Sequence, residues 1–183
     1  MRSGSSDRPR PGAGSHSGAV RRAGAVDVRR RAVGPARPLL TDAGRVTASP
    51  EETEALAAEL AVLLGPGDVV AVQGDLGAGK TTFVRGAARA LGVTEPVSSP
   101  TFTIGRLYDA EPPVAHLDLY RLDGLSAEEW GDLEPYFDGT IAFVEWPERG
   151  GSRLPSLRAT VTLEHVDESH RRVTISGADD HRL

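Results

Sequence analysis

The segment Asp68-Val69-Val70-Ala71-Val72-Gln73-Gly74-Asp75-Leu76-Gly77-Ala78-Gly79-Lys80-Thr81-Thr82 decides the fold. Its first half is a short run of valine and alanine with no helical period, the pattern of a buried strand. Its second half carries the spacing Gly, four residues, Gly-Lys-Thr, and from Gly79 a helix can run to about Leu91, closed by Gly92. A strand, a glycine-rich turn and a helix in that order bring several backbone N–H groups to one point, at the positive end of the helix, where residues without a Cβ leave room for an anion. The pattern predicts a phosphate-binding loop in which Asp75, Leu76, Gly77, Ala78, Gly79, Lys80, Thr81 and Thr82 contact a nucleotide. Lys80 is expected to reach the β and γ phosphates, and Thr81 to ligate the magnesium that bridges them.

A glycine-rich turn can also be no more than a tight turn, and composition weighs against that reading here. Of 21 basic residues 20 are arginine, and the single lysine is Lys80. A compact ammonium on a flexible stem fits a phosphate loop where a forked guanidinium does not. The same scarcity selects the base. The guanine-reading motif of many P-loop proteins needs a second lysine, so ATP is expected over GTP.

On the N-terminal side, Ser49-Pro50-Glu51-Glu52 has the form of a helix start: Ser49 as N-cap, Pro50 at the first helical position and Glu52 placed to complete a capping box. Leu56, Leu60, Leu63 and Leu64 keep a helical spacing until Gly65-Pro66-Gly67. On the C-terminal side, Thr101 to Tyr108 and Val114 to Tyr120 read as a hairpin, Ser126 to Leu133 as a short helix, and Thr140 to Val144 as a buried strand ending at Glu145. Ala159 to Glu164 and Arg171 to Ser176 read as two further strands. The predicted fold class is α/β: a single P-loop NTPase domain with a mixed sheet flanked by helices, parallel around the glycine loop and antiparallel towards the C-terminus.

Charge divides the chain. Residues 1–40 carry nine arginines against Asp7 and Asp27, a net +7 that leaves −12 on the rest of a chain whose total is −5. This stretch has no Leu, Ile or aromatic residue before Leu39 and is expected to be a disordered basic extension. A solvated extension is the plain reading; an RNA-binding arm or a transit peptide would share its composition. The predicted domain is 41–178, with 179–183 as a short tail. No apolar run approaches the length of a membrane span, and the absence of cysteine excludes disulfides, thiolate zinc sites and cysteine nucleophiles.

Two carboxylates sit where hydrolysis would need them. Glu145 follows an apolar strand in the position of an acid that binds magnesium directly or through water, and Asp118 lies in His116-Leu117-Asp118-Leu119-Tyr120-Arg121. Either acid can equally be a cap or an ion-pair partner. Ser99-Pro100-Thr101 occupies the place of a switch segment that senses the γ phosphate, or of an ordinary Ser-Pro turn.

Four segments in this order, Gly-Asp-Leu-Gly-Ala-Gly-Lys-Thr-Thr, Ser-Pro-Thr-Phe, His-Leu-Asp-Leu-Tyr-Arg-Leu and Val-Glu-Trp-Pro-Glu, resemble the TsaE family, the ATPase component of the bacterial machinery that makes tRNA N6-threonylcarbamoyladenosine. The resemblance spans about residues 46 to 176. It implies that Thr81 and Glu145 serve magnesium, that Asp118 is catalytic or organises the metal, that Thr101 is a switch residue and that Trp146 lies beside the nucleotide. It also implies a basic residue from the C-terminal hairpin near the nucleotide, for which Arg171 is the choice. Family members act with TsaD and TsaB, so the resemblance implies weak ATPase activity alone, stimulation by those partners, tRNA contact only through them, and a cytoplasmic location. Two other readings compete: a P-loop small-molecule kinase, against which stands the lack of a lid-sized insertion, and a nucleotide-binding interaction protein that does not hydrolyse.

Overall fold

The computed structural model describes residues 44–100, 102–124 and 126–177. The expected basic extension, the C-terminal tail and Thr101 lie outside the described residues. In chain order the elements are β1 (Arg45–Thr47), α1 (Pro50–Ala61), β2 (Val69–Gln73), α2 (Lys80–Ala90), β3 (Gly105–Tyr108), β4 (Val114–Asp118), α3 (Ala127–Leu133), β5 (Ile141–Glu145), β6 (Ala159–His165) and β7 (Arg171–Gly177). Short 3-10 turns follow α3 and β5.

The seven strands form one mixed sheet in the order β1-β7-β6-β2-β5-β4-β3. Its centre is parallel: β2 lies between β5 and β6, and β4 runs parallel to β5. The antiparallel pairs stand at both flanks, β6 with β7 and β7 with β1 on one side, β3 with β4 on the other. The β3–β4 pair is the hairpin expected from sequence, and the β6–β7 pair is the antiparallel C-terminal part. The strand β1 was not anticipated; three residues are too few to display an alternation, and their pairing with Arg171, Arg172 and Val173 is visible only once the hairpin is built.

Both faces of the sheet are covered, which is why β2 and β5 read as nearly continuous apolar runs rather than alternating ones, and why every residue of β4 is buried, His116 and Asp118 included. Val70, Val72, Phe143 and Val161 meet Leu56 and Leu60 of α1 and Phe83 and Val84 of α2. On the opposite face Val69, Leu117, Ala142 and Val144 pack with Leu119, Leu122 and Leu133. No helix among the described residues is long and apolar enough to cross a membrane.

The helix starts follow their sequence signals, with one shift. Ser49 Oγ accepts the Glu52 N–H at 3.2 Å, but the Glu52 carboxylate accepts the N–H of Ala48, at 2.7 Å, instead of returning to Ser49. At α3 the box closes fully: Ser126 Oγ accepts the Glu129 N–H at 3.1 Å and Glu129 accepts the Ser126 N–H at 2.9 Å. The strand expected from Thr101 begins only at Gly105. Before it the chain turns, with the Thr103 N–H on Pro100 O at 2.8 Å, the Gly105 N–H on Thr103 O at 2.8 Å and Ile104 in the left-handed region at φ 64°. These local bonds consume groups that a strand would have offered to a neighbour.

Helices α1 and α2 touch at backbone distance. A Cβ on Gly86 would collide with the Cα and carbonyl oxygen of Glu54, whose carboxylate in turn holds Arg85 at 3.3 Å and Arg89 at 2.6 Å. Because the obstacle is backbone, Gly86→Val is expected to lower unfolding stability by about 1–3 kcal/mol. Chemical denaturation should show a reduced midpoint at unchanged slope.

Candidate functional site

The parallel register brings the ends of three strands together. Val72 of β2 stands opposite Glu145 of β5, and Glu145 stands opposite Asp118 of β4, so both acids emerge beside the loop that leaves β2. In that loop Gly74, Gly77 and Gly79 have φ of 137°, 78° and 100°. Gly74 is further constrained by β6, since a Cβ there would collide with the carbonyl oxygen of Leu163. The loop closes with the Ala78 N–H on Asp75 O at 3.1 Å, and α2 opens with the Phe83 N–H on Gly79 O at 2.9 Å.

Lys80 is buried at the first position of α2. Its ammonium donates to the carbonyls of Gly74 at 2.8 Å and Asp75 at 2.9 Å, and lies 4.0 Å from the centre of the Trp146 ring. Burial pulls the lysine below its ordinary range, while Glu145, Asp118, Glu148 and Asp75 favour the charged form. An ammonium satisfied by neutral carbonyls and an indole face has stronger hydrogen bonds to gain from an anion in the loop.

One residue further, the Thr81 hydroxyl donates to Glu145 Oε1 at 2.8 Å, and His116 Nε2 lies 2.9 Å from the same oxygen. Both oxygens of Asp118 are engaged: Oδ2 accepts from the Ser99 hydroxyl at 2.6 Å, and Oδ1 from the Tyr120 N–H at 3.1 Å. Trp146 follows β5 with φ 57°, a left-handed turn that swings its indole over the loop and sets it 5.0 Å from the Tyr120 ring. Phe102 is exposed under the Arg121 guanidinium, at 4.4 Å, which ties the turn after Ser99 to the chain after β4.

One cleft of about 460 Å³ is lined by Leu76, Gly77, Gly79, Lys80, Thr81, Thr82, Ser99, Asp118, Tyr120, Glu145 and Trp146. A second hollow of about 260 Å³ lies against the same loop residues Gly77, Gly79 and Thr82, and is completed by Ser49, Thr53 and Arg171. Arg171 thus stands against the loop but not in the lysine cleft, and its guanidinium caps the carbonyls of Asp167 at 3.0 Å and His170 at 2.9 Å. Of the expected contact residues, Asp75 enters through its carbonyl. Ala78 is wholly buried in the core, so only its backbone faces a ligand. Sequence reasoning missed His116 and Tyr120. For His116 a signal existed: it shares a strand face with Asp118, two residues on.

Among the described residues no three His, Asp or Glu side chains cluster as a metal cage. The hydroxyl of Thr81 and the carboxylate of Glu145 are hard oxygen donors, and they suit a cation that keeps waters and takes its remaining ligands from phosphate. The arrangement fits magnesium in that shared form.

A glycine loop leaving a central parallel strand, a lysine and a hydroxyl opening the next helix, and an acid on the adjacent strand define an α/β domain of the P-loop type. A family model described as "Threonylcarbamoyl adenosine biosynthesis protein TsaE" matches residues 47–173, and the chain belongs to the TsaE family. It is 42% identical to the tRNA threonylcarbamoyladenosine biosynthesis protein TsaE of Bacillus subtilis, over 71% of this chain and 82% of that one. It is 36% identical to the Treponema pallidum protein of the same name, over 72% of this chain and 98% of that one. The crystal structure of Bacillus subtilis YdiB superposes with a TM-score of 0.62 at 36% identity, covering 73% of this chain and 84% of that one.

Replacing Glu145 by alanine strips Thr81 and His116 of their shared acceptor. The loss expected is about 1–3 kcal/mol of unfolding stability, the typical cost of leaving a buried donor, here His116, unpaired. Equilibrium denaturation in the absence of nucleotide and metal measures it.

Proposed function

We propose that this chain is the magnesium-dependent ATPase of the TsaB–TsaD–TsaE machinery for threonylcarbamoylation of tRNA adenosine at position 37. The observation that carries the reading is the Thr81 hydroxyl on Glu145 at 2.8 Å beside the buried Lys80 ammonium, because a hydroxyl and a carboxylate so placed are hard oxygen donors that suit a phosphate-bound cation. The loop N–H groups and Lys80 bind the β and γ phosphates. Thr81 and Glu145 would hold magnesium, which would neutralise charge on those phosphates. Asp118 orients the attacking water or the metal's water shell, and Thr101 senses the γ phosphate. Trp146 walls the cleft over the phosphates. The second hollow, with Thr82 and Arg171, is the side on which the nucleoside lies.

Hydrolysis then drives a conformational step in the partner transferase TsaD, in company with TsaB, within the cytoplasm. Transfer chemistry belongs to TsaD. The net −12 of residues 41–183 opposes the phosphate neutralisation that dominates RNA affinity, so tRNA is contacted through the partners.

Lys80→Ala is expected to remove ATP binding in calorimetry while the protein stays folded; unchanged affinity would refute the loop assignment. Asp118→Ala and Glu145→Gln are expected to keep ATP binding and to lose turnover by about a hundredfold or more, as for groups that act mainly on the transition state. Phosphate release is measured alone, with TsaD and TsaB, and with a panel of phosphate acceptors. Normal partner-stimulated turnover in both variants, or transfer to a small acceptor, would overturn the proposal.

A further inference from the structure

His116 is fully buried in the middle of β4, a strand with every residue buried. Its Nε2 lies 2.9 Å from Glu145 Oε1, while Nδ1 is buried without a hydrogen-bond partner among the described residues. An ionised carboxylate only accepts, so Nε2 carries the proton and Nδ1 keeps a bare lone pair. An unpartnered ring nitrogen in a core is unfavourable, and a leucine of similar size would avoid it. The imidazole therefore has to be explained by what Nε2 does.

We propose that His116 is a positioning residue for the cation site. Its Nε2–H fixes Glu145 in the orientation in which the same carboxylate oxygen takes the Thr81 hydroxyl proton, leaving the Thr81 lone pairs for the cation. The inference rests on the magnesium–ATP reading above. The terminal torsion of a glutamate is broad and two-fold, so a single donor on one oxygen does not set its plane. A second donor on that oxygen, held in a strand wedged between β3 and β5, does. Outer-shell donors of this kind commonly change metal affinity by about 10–100-fold when removed.

The test compares His116→Gln with His116→Asn in the full chain. A glutamine amide reaches the place of Nε2, whereas an asparagine amide reaches only that of Nδ1. Binding of Mn²⁺, followed by electron paramagnetic resonance with a non-hydrolysable ATP analogue, is expected to weaken about 10–100-fold in His116→Asn and to be largely restored in His116→Gln. Affinity for the analogue without any divalent cation should be unchanged in both. If His116→Asn does not fold, His116→Met, which has no donor, replaces it in the same comparison. Wild-type Mn²⁺ affinity in the donor-less variant overturns the inference, as does a glutamine variant as weak as the asparagine or methionine one. A wild-type protein that shows no nucleotide-dependent Mn²⁺ binding overturns the function proposed and this inference together.

Discussion

The carboxylate of Glu145 ties together the three elements on which the site depends. It ends β5, accepts from Thr81 at the start of α2 and from His116 within β4, and its backbone carbonyl takes the Leu119 N–H as the chain leaves β4. A buried acid is unfavourable unless hydrogen bonds replace its water, and each donor here comes from a different part of the chain. Satisfying the acid therefore fixes where α2 begins relative to the sheet. The parallel pairing of β5 with both β2 and β4 makes this possible, because it delivers the loop, Glu145 and Asp118 to the same end of the sheet.

Around that tie the loop is shaped by what cannot be present. Gly74 faces the carbonyl of Leu163, so the path out of β2 is set by β6 as much as by the glycines themselves. The C-terminal hairpin is consequently part of the site's frame, although it contributes no residue to the lysine cleft. Its β7 strand pairs with β1 just before Ser49 and α1, and the second hollow opens between the loop, the start of α1 and the turn of that hairpin. A ligand on the loop thus has two distinct neighbourhoods, one built of carboxylates and aromatic rings and the other of hydroxyls and Arg171.

Lys80 is held within the loop by groups of the protein itself. Its ammonium is held by two carbonyls and an indole face, while burial lowers its proton affinity and four nearby acids counter that shift. Asp118 is likewise engaged on both oxygens, by Ser99 and by the Tyr120 backbone. Lys80, Asp118 and Glu145 therefore each have protein partners in this state. A bound anion would offer the ammonium charge-assisted bonds that a carbonyl does not.

The sequence by itself determined the strand–loop–helix unit, the helix starts at Ser49 and Ser126, the buried strand that ends at Glu145, and the α/β class, because each is written in contiguous residues: a period, a cap or a spacing of glycines. It also singled out Lys80 and Thr81 from the loop and Glu145 and Asp118 from their strand ends. It did not reveal β1, whose three residues gain meaning only from β7, nor the turn that delays β3 to Gly105, which local backbone bonds impose. Only the tertiary structure decided that His116 and Thr81 share one oxygen of Glu145, that Trp146 turns its ring over Lys80, and that Arg171 stands on the far side of the loop. Those facts depend on strand order and register between segments 29 to about a hundred residues apart, and nothing in a linear pattern of residue types encodes a distance across a sheet.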